Sequence, residues 1–326
     1  MLVLLAAVLV IQASSQMCRT ISLEGGGSHG AYEAGALWAL ANLSHPEDVA
    51  YNVVTGISAG ALNAFGVCQF AMGDEIAMSE YLVNLWLNLN GSSSVFEDWE
   101  GGLVDGLIFQ KGIYNTAPLI ETLRKDFIHG IQRNITVGST NLDTGKFATF
   151  NESVGNSILN AVVCSASPPF FFPPQQFEGY TWSDGGVIIN LDVFSSIERC
   201  LDVTSNEANI IVDLVFDGQT GTLPVETKFK TLDVLGRTFA IRSYDSSIWY
   251  TYNAMIAYPK VNFRYIIHAS EPMPGGIVPL NFTKSVLERE IQMGINDTTA
   301  LLKNPVDGRS IIQELFNTVK TNIIYP

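Results

Sequence analysis

Short apolar runs alternate with longer stretches at helical spacing along this chain, and the first ninety residues do so twice in the same order. Residues 20–23 read as a strand that ends in Gly25-Gly26-Gly27. A helix over 31–42 follows, with Ala, Leu and Trp at core spacing. Residues 51–55 form a second strand running into Gly56-Ile57-Ser58-Ala59-Gly60. The next helix carries Ala61, Leu62, Phe65, Cys68 and Phe70 and continues past a break near Gly73 to Leu87. Two strand–helix units in succession predict an α/β core built on a parallel sheet.

Residues 90–112 are Gly- and Ser-rich, hold Trp99, Gly101 and Gly102, and read as a surface excursion. A helix near 117–128 precedes strands at 134–140 and 146–150, joined by the turn-forming Asp143-Thr144-Gly145. Helix 155–165 leads into the proline-stiffened loop 167–174. Strands are expected at 210–216 and 261–268, with helices near 226–257 and 282–303 flanking the second of them. No repeat and no Pro/Ser linker divides the chain, so residues 17–326 read as one domain.

The N-terminus reads differently. Residues 1–16 contain no charged side chain and hold an unbroken apolar run over 2–11. That run is too short for a bilayer, which needs about 20 residues, but it suits the core of a signal peptide. Small residues at Ala13 and Ser15 place cleavage near Ser15, giving a signal peptide over 1–15 and a secreted or endolysosomal, lumenal protein. The alternative is an apolar N-terminal strand or anchor. Sequons at Asn42, Asn90, Asn134, Asn151, Asn281 and Asn296 mark glycosylation candidates that fit secretory passage. In that compartment Cys18, Cys68, Cys164 and Cys200 can form two disulfides in three pairings. No pair has the spacing of a metal site, and no acidic cluster has EF-hand spacing, so neither a metal nor another cofactor is expected.

Composition sharpens the picture. The 326 residues include 18 Lys+Arg against 32 Asp+Glu, a formal charge of −14. Apolar residues make up 47% and charged residues 15%, against roughly 25% charge in an ordinary soluble domain. A chain this apolar can bury enough surface to order itself, which excludes intrinsic disorder. A pI near 4.6 argues against nucleic acid and against electrostatic capture by anionic lipid. The mean hydropathy of +0.21 belongs partly to the uncharged leader and partly to a sheet buried between helices.

Three short segments carry candidate chemistry. Gly56-Ile57-Ser58-Ala59-Gly60, placed after a strand and before a helix, has the arrangement of a nucleophile elbow, its glycines serving a sharp turn with close neighbours. The helix N-terminus behind Ser58 favours negative charge on an attacked substrate. By itself the segment also reads as an ordinary Gly-rich strand-to-helix turn. Gly25-Gly26-Gly27-Ser28-His29-Gly30 presents backbone N–H groups without side chains, which suits an oxyanion hole or a phosphate cradle. It lacks the order of a dinucleotide fingerprint and the Gly-Lys-Ser/Thr of a P-loop. Trp182-Ser183-Asp184-Gly185-Gly186 places an acid at a strand end, open to a cleft or simply part of an Asp-Gly turn.

In this order and combination the three segments resemble the patatin-like phospholipase family. The stretch from Ile135 through Gly138 and Asn141 to Gly145 is similar to that family's strand and turn before its active-site helix. Ser165-Ala166-Ser167-Pro168 and Phe172-Pro173-Pro174 are similar to its loop leading to the catalytic Asp. The likeness covers 19–218, and 219–326 is the more variable part. It implies a three-layer α/β/α fold with a mainly parallel central sheet, and hydrolysis of acyl ester bonds in phospholipids, lysophospholipids or other acyl lipids. It places the nucleophile on Ser58, the general base on Asp184 and the oxyanion-hole glycines on Gly25, Gly26 and Gly27, with Gly56, Gly60, Gly185 and Gly186 supporting the turns. The implied partner is lipid at a membrane or micelle surface, with no nucleic acid and no transmembrane span.

Two positions depart from the family pattern. His29 stands where the family usually has Arg or Lys; it is either a head-group contact whose charge follows pH or an exposed loop histidine without a role. Asn190 is retained after Asp-Gly-Gly, but the expected Pro is Asp192, at a helix entry. Two rival functions are a patatin-like storage or lipid-binding protein with little catalysis, and a Ser-His-Asp esterase completed by His268. The Phe170-Phe171-Phe172 run reads either as an acyl or membrane contact or as a packed loop.

Overall fold

The computed structural model describes residues 16–89, 91–126, 129–218, 230–276 and 278–321; the expected signal peptide and the sequon residue Asn90 lie outside the described residues. Cys18–Leu23 forms β1, whose Ile21 and Leu23 face one helix layer while Cys18 faces the other. α1 (Gly30–Leu43) follows, rich in Ala and Leu and buried on nearly every side. Then come β2 (Val53–Gly56), α2 (Ala59–Cys68) and α3 (Glu75–Leu87). The last two are separated at Gly73, whose φ of 108° favours glycine. The 90–112 excursion is a small hairpin, β3 (Glu97–Asp98) and later β4 (Tyr114–Asn115), with α4 (Gly102–Ile108) between them. α5 (Ala117–Asp126) leads to β5 (Asn134–Asn141) and β6 (Lys146–Asn151).

α6 (Ile158–Ser165) enters the proline-stiffened loop, and β7 (Gln175–Phe177) and β8 (Tyr180–Asp184) form a tight hairpin beyond it. α7 (Val193–Val203), β9 (Ile210–Phe216), α8 (Thr231–Ala257), β10 (Asn262–His268), α9 (Lys284–Lys303) and α10 (Gly308–Thr321) complete the chain. The main sheet runs β10-β9-β1-β2-β5-β8-β7, with β6 also on β5. The pairs from β10 through β5 are parallel, and those of β5 with β6 and β8 and of β8 with β7 are antiparallel. The mainly parallel sheet is therefore as expected, with an antiparallel edge.

Two cores lie on opposite faces of this sheet. One gathers Leu23, Val54 and Ile135 with residues of α1, α2, α3, α6 and α9. The other gathers Val53, Val212 and Phe263 with residues of α7, α8 and α10. This is the α/β/α layering that buries a parallel sheet on both sides.

The cysteine expectation needs correction. One disulfide, Cys18–Cys200, ties the start of β1 to α7 across a Cα–Cα distance of 5.6 Å. Cys68 and Cys164 are buried free thiols in α2 and α6. Burial pushes both up to about 12, so they behave as small core residues.

Candidate active site

The site is assembled by register. Leu23 of β1 lies opposite Gly56 of β2, so the glycine loop and the Ser58 turn leave adjacent parallel strands at one level. Ile57 N donates to Leu23 O at 3.2 Å and Gly60 N to Glu24 O at 3.0 Å, stitching the two turns together. The approach leaves no room for side chains. A Cβ on Gly56 would fall 2.1 Å from Gly60 O, and one on Gly60 would fall 2.4 Å from Leu23 O. Ser58 itself sits at φ 53°, ψ −119°, a sparsely populated conformation for a residue with a side chain. Its N–H donates to Ser165 Oγ at 3.0 Å, so α6 helps to hold the turn.

The glycine loop divides its labour. Gly25 N–H donates to Asn190 O at 3.1 Å, and Asn190 Nδ2 donates to Gly25 O at 2.7 Å. Gly25 is thereby clamped, which departs from the expectation that it presents a free donor. The N–H groups of Gly26, Gly27 and Ala59 have no hydrogen-bond partner among the described residues, and all three residues line one cavity with Ser58. Ala59 was not among the sequence candidates. Its signal was its position directly after an elbow serine. Gly27 needs to be glycine, with φ 61° and a would-be Cβ 2.1 Å from Pro279 O.

Asp184 ends β8 opposite Ser139 of β5, just beyond the level of Gly56, and is buried. Its N–H donates to Ser167 O at 2.9 Å and its Oδ1 accepts from Gly186 N–H at 2.8 Å. Gly185 packs so closely that a Cβ would fall 2.5 Å from Gly138 O. Burial raises the Asp184 carboxyl to about 7, against the opposing pull of the Ser58 hydroxyl and the Gly186 N–H. The hydroxyl is near enough to favour the carboxylate, yet no hydrogen bond of ordinary geometry reaches Oδ2. Ser58 and Asp184 open into a cavity of about 380 Å³ walled by Leu62, Trp86, Leu123, Phe171, Phe172 and Phe282. Among the described lining residues, Arg237 of α8 is the one Lys or Arg, and it makes no ion pair or hydrogen bond with the described residues.

His29 also lines the cavity, but it is buried, with Nε2 3.2 Å from Pro274 O and 3.9 Å from Glu290 Oε1. Burial lowers its pKa to about 4. It is thus neither an exposed loop residue nor a head-group cation whose charge changes between pH 5 and 8. His268 ends β10, its Nδ1 3.5 Å from Ala269 O, and is not among the cavity residues. Asp192, in place of the expected proline, caps α7 by accepting from Ser195 N at 3.0 Å.

Behind the glycine loop lies an acidic cluster that no local pattern announces: Glu24, Glu33, Asp217 and Glu290, all buried. Neither carboxyl oxygen of Asp217 has a hydrogen-bond partner among the described residues, and a Cβ on Gly26 would fall 2.3 Å from Asp217 Oδ1. Burial raises all four carboxyls, Glu290 to about 8, and mutual repulsion adds to the rise at Glu33 and Asp217. The consequence for stability has a definite sign. With Asp184, five groups bind their protons more tightly in the folded state than in the unfolded one. Stability then falls as pH rises from about 4.5 through 8. His29 opposes this only between about 4 and 6.5. Thermal denaturation is expected to show a melting temperature that declines from pH 5 to 8, with a shallower decline in Glu290→Gln; a flat or rising profile contradicts this.

A sequence profile described as patatin-like phospholipase matches residues 21–195, the segment that holds every element of the site described so far except Asp217, Arg237, Glu290 and the loops around 274–282. The chain belongs to the patatin-like phospholipase family. Membership supports lipid acyl hydrolase activity. Uncharacterized protein R571 of Acanthamoeba polyphaga mimivirus is 25% identical over 256 residues, spanning 72% of this chain and 80% of that one. Among solved structures, VipD from Legionella pneumophila superposes over 88% of this chain and 67% of its own, with 14% identity and a TM-score of 0.41. No described helix is long and apolar enough to cross a membrane. Of the described sequon residues, Asn296 on α9 is exposed, while Asn42, Asn134, Asn151 and Asn281 are half-buried.

Proposed function

We propose that this protein hydrolyses acyl ester bonds of phospholipids, lysophospholipids or related acyl lipids with a Ser58–Asp184 dyad. One observation carries the reading: a serine held at a strained strand-to-helix turn faces a buried carboxylate with a free oxygen, at the floor of an apolar cavity. Asp184 takes the Ser58 proton as Oγ attacks the carbonyl carbon. The N–H groups of Gly26, Gly27 and Ala59 donate to the oxyanion that forms. Collapse breaks the ester C–O bond, and Asp184 returns the proton to the departing alcohol. Water then attacks the acyl-enzyme, giving up its proton to Asp184, and the fatty acid leaves as Ser58 is restored.

Cavity chemistry supports the substrate class. Its Leu, Trp and Phe walls match acyl chains, and Arg237 offers a cation to an anionic head group where neutral His29 cannot. A secretory or endolysosomal lumen agrees with the apolar leader and the Cys18–Cys200 disulfide. The test is product analysis by mass spectrometry on a mixed lipid panel, with Ser58→Ala as the control. Free fatty acid and the matching lysolipid are expected from the wild type alone. Release no greater than from Ser58→Ala, by folded protein, overturns the proposal.

A further inference from the structure

α4 is inverted relative to an ordinary surface helix. Gly106 faces the protein, packed so closely that a Cβ would fall 2.3 Å from Ile113 O. Outward stand Leu103, Val104, Leu107 and Ile108, at the i, i+1, i+4, i+5 spacing of one helical face, followed by Phe109. Their exposures run from 50% to 76%, the last being Phe109. Solvent exposure of five large apolar side chains within seven residues is a patch, not the scattered apolar surface of any soluble protein.

The patch is joined to the wall of the Ser58 cavity. Ile113 N donates to Phe170 O at 2.9 Å and Tyr114 N to Phe171 O at 3.0 Å. Within the proline-stiffened loop, Phe171 and Phe172 line the cavity, whereas Phe170 is turned out to 38% exposure by a φ of 76°. Val95 of the same excursion also lines the cavity, and the Phe96 ring packs on Phe172 at 5.7 Å. Backbone hydrogen bonds thus tie the excursion that carries α4 to the loop that turns Phe170 outward and sets Phe171 and Phe172 in the wall of the proposed acyl site.

We propose that α4 and Phe170 form the surface on which the protein docks to a zwitterionic phospholipid membrane, their side chains entering the head-group layer. The proposal rests on the reading of the cavity as an acyl-lipid site. Charge selects the occupant. Glu97, Asp98 and Glu100 are exposed in the same excursion against one exposed cation, Lys111, and the chain carries −14 overall. An anionic bilayer is repelled by that rim, whereas the outward ammonium groups of phosphatidylcholine complement it.

Flotation of the full protein with phosphatidylcholine vesicles tests this, comparing wild type with the double variant Ile108→Ser, Phe109→Ser. Both side chains are mostly exposed, so the variant's melting temperature should match the wild type. The wild type is expected to float. The variant should partition at least about tenfold more weakly, given the transfer free energy of two large apolar side chains. Equal flotation of the two, failure of the wild type to float, or preference for phosphatidylserine vesicles overturns the proposal. So does light scattering that shows a wild-type dimer and a variant monomer, which would assign the patch to a second copy. Turnover of a soluble short-chain ester by the wild type is scored separately: its absence removes the hydrolase reading, while flotation still decides the docking surface.

Discussion

Asp184→Asn is expected to keep its fold and lose ester turnover by roughly three orders of magnitude, the scale of a positioned general base. The amide preserves the acceptor for Gly186 N–H and the shape of the turn, so the β8 end should stay in place. It cannot take the Ser58 proton. The same residue sets the pH profile. Asp184 must be ionised to act as base, and burial puts its pKa near 7. Wild-type kcat/KM should therefore rise with pH through about 7 and then level, and that limb should vanish in the variant. Stability runs the other way, because the buried acids favour the folded state while protonated. Activity and stability thus have opposite pH slopes. Near-normal turnover by Asp184→Asn, measured by initial rates on a soluble ester, contradicts the assigned role.

Gly60→Ala is expected to cost about 3 kcal/mol of stability, the upper part of the usual range for overpacking, and to abolish turnover. The new Cβ would meet Leu23 O at 2.4 Å and Glu24 O at 2.5 Å. Both are backbone atoms of β1 and the glycine loop, so no side chain can swing aside. Relief requires the β1 and β2 turns to part, which breaks the Gly60 N to Glu24 O bond and moves Ser58 away from Gly26. The contrast is Gly145→Ala, at a hairpin tip with nothing within 4 Å of the added Cβ. Its φ of 69° brings local strain only, and turnover should survive. Chemical denaturation and initial rates on the two variants separate close packing at the site from loss of glycine in general.

Much of this was legible because the decisive elements are local. Strand, glycine turn and helix repeat within the first ninety residues, and periodicity plus turn chemistry marks β1, β2 and their helices directly. The Asp184 turn was legible as a motif, and so was the strand before it. Features that need distant partners were not. The cluster of Glu24, Glu33, Asp217 and Glu290 draws on residues from both ends of the chain, and each acid alone looks like solvated surface. Burial of His29 depends on Pro274, and Pro279 packs over the glycine turn beside it. The pairing of Cys18 with Cys200 depends on α7 crossing beneath β1, a helix that the apolar pattern alone did not announce. α4 escaped for another reason: 90–112 reads as a Gly- and Ser-rich surface excursion, which fits its exposure but gives no sign of a short helix with its apolar side chains turned outward.

The most direct measurement is intact-protein mass spectrometry after exposure to a fluorophosphonate, with peptide mapping of the adduct. One phosphonyl group per chain is expected, located on Ser58, and none on Ser58→Ala. Folded wild type that takes up no label, or carries it on another serine, would rule out Ser58 as the nucleophile.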